Sequence, residues 1–90
     1  PASPVKVELD PAAAAQLDAL YGRDPNGGAR IDECLDWIEV EPMDPRAYRR
    51  MFSGGVRAIT RDVNGEPWIV LWEPHGDVAV IRAVMPADQL

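Results

Sequence analysis

Ninety residues suffice for one domain and not for two ordinary ones, so residues 1–90 must share a single core, with residues 1–4 expected as a flexible lead-in. Nine basic against fifteen acidic residues give a net charge of −6, which opposes a nucleic-acid backbone overall, although residues 1–45 carry three basic and ten acidic groups and residues 46–90 six and five. The lone Cys34 excludes an intrachain disulfide, no apolar run approaches the roughly 20 residues that cross a bilayer, and the start PASPVKVELD lacks the basic and apolar regions of a signal peptide, so a cytoplasmic, non-membrane protein is expected.

Val5, Val7 and Leu9 alternate with Lys6 and Glu8, the period of a half-buried strand, over VKVEL. Asp10 then offers an N-cap carboxylate and Pro11 a first helical residue whose missing N–H costs nothing. A helix follows as PAAAAQLDALY, packing through Ala13, Leu17 and Leu20 or Tyr21, with Gly22 as its stop. RDPNGG reads as a surface loop, and its glycines lack the spacing and the preceding strand of a phosphate-binding turn. A second helix runs through ARIDECLDWIEV, with Ile31, Cys34 or Leu35, and Ile38 inward and Asp32, Glu33, Asp36 and Glu39 in water. In that apolar stripe Cys34 reads as a small buried hydrophobe.

Pro42 and Pro45 break the chain into an irregular link. VRAITRDV, WIVLWE and VAVIRAV then read as three strands rich in β-branched and aromatic residues, joined by a hairpin at Asn64-Gly65 and a turn over Pro74, His75, Gly76 and Asp77. The expected fold is α+β in the order β-α-α-β-β-β, a two-helix hairpin packed on one face of a small, mostly antiparallel sheet. Pairing of the first strand with the last would close it. Trp68 and Trp72 are expected on one strand face, as core or sheet cover.

Arg57 and Arg61 share a face of the first late strand with Ile59 between them, and Arg82 interrupts an otherwise apolar final strand. A charged arginine among strand residues must find water, a carboxylate or an anionic ligand. Convergent arginines would bind phosphate and stabilise charge on a transferring phosphoryl group, while pairing with Glu8, Glu66 or Glu73 is the structural alternative. His75, the sole histidine, could move protons near neutral pH or stand as an exposed turn residue. Arg46, Arg49 and Arg50 surround Tyr48 near Phe52, the mixture of charge and stacking surface that an RNA-binding patch needs, and equally one that covers a sheet or meets an acidic protein. Asp32 and Asp36 share a helical face without a calcium-loop pattern or a nearby histidine, so no metal or other cofactor is expected.

The N-terminal V-x-L-like strand, the helical hairpin from Asp10-Pro11-Ala12, the Gly55-Val56-Arg57 element and the VLW and VIRAV segments resemble the RelE/ParE toxin superfamily across residues 5–85. The resemblance implies a toxin-antitoxin-type protein and a metal-independent mRNA endoribonuclease acting at the ribosome, with Arg57 and Arg82 as catalytic arginines, His75 as an acid/base, and Arg46, Arg49, Arg50 and Arg61 on RNA. It also implies an antitoxin partner. The acidic balance and the ending MPADQL suit the alternative, a non-catalytic protein-binding or regulatory domain that keeps the toxin-like fold. A homodimer is compatible with either.

Overall fold

The computed structural model describes residues 5–40, 50–51 and 55–89. Strand β1 (Lys6–Leu9) leads into helices α1 (Pro11–Arg23) and α2 (Pro25–Val40); β2 (Arg50–Met51), β3 (Arg57–Val63), β4 (Glu66–His75) and β5 (Val78–Pro86) follow, and Ala87–Gln89 form a 3-10 turn. The sheet order is β1-β5-β4-β3-β2. β1 lies parallel to β5, from Lys6 opposite Val78 to Leu9 opposite Ile81, and every other pairing is antiparallel. The α+β class, the β-α-α-β-β-β order and the closure of the first strand on the last therefore hold, with the two-residue β2 as an added edge.

One core joins the two layers. α1 contributes Ala13, Leu17 and Leu20, and α2 contributes Ile31, Cys34, Leu35 and Ile38; the sheet answers with Ile59, Val63, Trp68, Val70, Trp72, Ala79, Ile81 and Val84. Burying each large apolar side chain stabilises the fold by about 1.5–3 kcal/mol, so a dozen such groups outweigh any surface ion pair here. Trp68 and Trp72 do share a face, and it is the core face.

The expected loop RDPNGG is instead a helix junction. α1 continues through Gly22 to Arg23, and α2 starts at Pro25, so Asp24 alone separates them. Asp24 performs both terminations: its N–H donates to the Leu20 carbonyl at 2.6 Å, and its Oδ1 accepts from Gly27 N at 3.0 Å as an N-cap. Pro25 fits the first helical position for the same reason as Pro11. Gly27 and Gly28 are buried because the helices cross there; a Cβ on Gly28 would stand 2.6 Å from the Tyr21 ring, and one on Gly27 2.7 Å from Val63. Turn residues were needed for closeness, not for a loop.

The Asn64-Gly65 hairpin is as expected, with φ of 52° and 84° supplying the left-handed pair that a tight two-residue turn requires. The later turn is shorter than its sequence suggests. Pro74 and His75 finish β4, and Gly76-Asp77 alone make the reversal. A bulge lies between β4 and β5: Leu71 faces Ala83 while Trp72 faces Ile81, which leaves Arg82 as the extra residue of β5. That one insertion lets Ile81 and Val84 both reach the core.

Candidate functional site

The strand arginines divide between the two faces of the sheet. Arg57 and Arg61 alternate with Ile59 and Val63 and therefore point toward the helices. Arg57 lies over the ring of Trp72, its direct cross-strand neighbour, at 5.2 Å from the centroid. Arg61 lies over Trp37 of α2 at 5.0 Å, and its Nη2 donates to Glu33 Oε1 at 2.8 Å. A weakly hydrated, planar guanidinium can leave water for an aromatic face in this way, a contact worth roughly 0.5–2 kcal/mol depending on desolvation. These two arginines therefore join α2 and β4 to β3.

Arg82 turns the other way. Pro74 opposes the core residue Ala79, so alternation places Glu73 and His75 on the face away from the helices, and Arg82 meets Glu73 there. Arg82 Nε stands 3.2 Å from Glu73 Oε1 and its Nη1 3.5 Å from Asp10 Oδ2, while His75 Nε2 lies 3.0 Å from Glu73 Oε2. Asp10 also accepts from Ala13 N at 2.9 Å as the α1 N-cap. The hydrogen bond from His75, with those and the charge of Arg82, holds the Glu73 carboxyl below its ordinary 4.5. Each cation in this group thus faces a carboxylate, an arrangement that ties the bulge to the start of α1.

Of the residues expected to act together, Arg82 and His75 meet through Glu73, and Arg57 lies on the opposite face with Arg61. Arg46 and Arg49 fall outside the described residues; Arg50 is placed only as a β2 backbone position opposite Ala58. No group of three or more potential metal-ligating side chains occurs among the described residues, and no described helix is long and apolar enough to cross a membrane. Cys34 is buried, and desolvation pushes its thiol up to about 11, so the buried-hydrophobe expectation stands.

Several interactions had no counterpart among the sequence-based expectations. Tyr21 donates to Asp32 across the helix pair; that bond and partial desolvation push the phenol up to about 12. Gln16 Oε1 accepts from Val84 N at 2.7 Å, past the point where β1 stops covering β5, and Arg30 Nε donates to the Asp62 carbonyl at 2.6 Å on β3. Each helix thus supplies one side chain to a strand group that no neighbouring strand takes. Asn64 donates to Asp24 and joins the hairpin to the helix junction. The capping propensity of Asp24 was the only local signal among them.

No protein-family model matches the chain, and no curated protein matches it. A solved structure described as the chromosomal ParDE TA system from P. aeruginosa does: one of its chains superposes with a TM-score of 0.70 and 16% identity, over 91% of this chain and 95% of that one. The two chains share a fold, and it is the RelE/ParE-like fold expected from the sequence.

Proposed function

We propose that this chain is a toxin-antitoxin-type domain that works by binding another protein and retains the toxin-like fold without ribonuclease chemistry. The separation of its arginines carries the reading. Arg57 faces the helices over Trp72, whereas Arg82 lies on the far side of the sheet between Glu73 and Asp10. Stabilising a transferring phosphoryl group requires cationic donors aimed at one point in a site poor in competing carboxylates. Two carboxylates already occupy the surroundings of Arg82, and the net charge of −6 repels an RNA backbone.

The structural neighbour comes from a two-component system, which favours a cognate antitoxin-like protein as the partner here. Purification from the native cell, with identification of whatever protein accompanies the chain, tests this directly. A stoichiometric protein companion, together with no cleavage of ribosome-bound or free mRNA, is the expected result. Cleavage that disappears in a folded Arg57→Ala/Arg82→Ala double variant would replace the proposal with the endoribonuclease reading, in which His75 is the acid/base and Arg46, Arg49, Arg50 and Arg61 contact RNA.

A further inference from the structure

Between the C-terminal half of α1 and the ends of β4 and β5 lies a cleft of about 430 Å³, continuous through Leu20, Arg23 and Trp68 with a neighbouring one of about 200 Å³. Its volume falls within the roughly 300–1,000 Å³ of ligand-sized clefts. We infer that this groove docks a segment of a partner protein in which an apolar anchor side chain is flanked by lysine or arginine. The inference rests on the protein-binding reading and adds where the partner sits and what chemistry it presents.

The floor and walls are apolar: Leu20 and Val63 meet Trp68 and Pro86. The α1 rim is low, since Ala19 lines the groove and a Cβ on Gly22 would meet nothing within 4 Å. An anchor side chain entering from solvent therefore finds apolar surface without a steric barrier, the arrangement that places binding energy in one buried contact. Charge selects its neighbours. Among the described residues, Asp24 and Glu66 line the groove against a single cation, Arg23, which lies over the Trp68 ring at 5.7 Å.

The hydrogen bonds of the two carboxylates leave their charge uncompensated. Asp24 accepts from Gly27 N and Asn64, and Glu66 Oε1 accepts from the Trp68 indole at 2.7 Å; all of these donors are neutral. The helical layer around the groove extends the same field, because residues 11–40 hold six carboxylates and two arginines. A basic flank is drawn in by both the local and the long-range potential, and an acidic one is repelled.

Two synthetic peptides test this on the full chain, one with a single phenylalanine between lysines and its counterpart with glutamates, each followed by two-dimensional NMR. The lysine peptide should shift the Trp68 indole and the Leu20 and Val63 methyls, and the glutamate peptide should not. Glu66→Gln keeps the acceptor for Trp68 but removes the charge, and should weaken the lysine peptide by about fivefold. Ala19→Trp, at an exposed position that leaves the core intact, should abolish binding by filling the groove. Equal binding of both peptides, or shifts confined to another face, would overturn the inference. Concentration-dependent broadening of the same signals without peptide would assign the groove to a second copy and also overturn it. A native partner whose footprint avoids Trp68 removes the groove as its dock and leaves the protein-binding proposal in place.

Discussion

The seam between α2 and β3 and the bulge between β4 and β5 both use arginine, and they use it differently. In the seam, Arg61 is pressed on Trp37 with only one carboxylate, Glu33, beside it, and Arg57 lies on Trp72 inside the layer pair. At the bulge, Arg82 is half-exposed and surrounded by Glu73 and Asp10, with His75 closing the group. Where helix covers strand, a guanidinium keeps its place by dispersion and ring electrostatics; where water reaches, it is held by ion pairs that solvent and salt weaken. The first kind of contact is part of the fold, and the second is an adjustment on its surface.

The sharpest way to break this contrast is Trp72→Ala, which removes both a fully buried ring and the platform of Arg57. A loss of about 3–5 kcal/mol is expected in denaturant unfolding, against less than about 1 kcal/mol for Arg82→Ala. Equal losses would mean that the bulge ion pairs are structural after all. Next in size is Gly28→Val: a β-carbon there would stand 2.6 Å from the Tyr21 ring, so the helix pair must separate, at about 1–3 kcal/mol by thermal melting. An unchanged melting temperature would show that the crossing has slack.

Titration separates the two regions further. The Tyr21 phenol is raised from 10.0 to about 12, so folding favours its protonated form; the stability it contributes is complete below pH 10 and is lost as pH rises through about 12. Comparison of wild type with Tyr21→Phe in alkaline unfolding should reveal that loss in the wild type alone. Glu73 has the opposite sign. Its carboxyl is held below 4.5, so its contribution exists above that value and disappears as pH falls through the lowered one, and Glu73→Gln should flatten this smallest of the four effects in acid unfolding curves.

Legibility followed the range of the interaction. Alternation in VKVEL, the Asp10-Pro11 start, the helical spacing of Leu17 and Leu20, and Asn64-Gly65 are each decided within a few residues, and all were readable. The candidate site was readable only as a set of arginines. Arg57 and Arg61 were correctly placed on one face, but a single inserted residue at Arg82 changes the alternation of β5, and nothing local announces a bulge.

The RDPNGG segment marks the same boundary. Composition marked it as a turn, and composition is a statement about local backbone freedom; Gly27 and Gly28 are there because Val63 and Tyr21, distant in sequence or on the other helix, leave no room for a side chain. The sequence by itself determined which segments become helix and strand and which of their faces are apolar, because both depend on neighbours along the chain. Tertiary structure alone decided that Arg57 and Arg82 part company across the sheet, that Asp24 serves two helices, and that a groove opens beside Trp68. Those outcomes depend on register and on the distance between packed layers, quantities that exist only once the chain has folded.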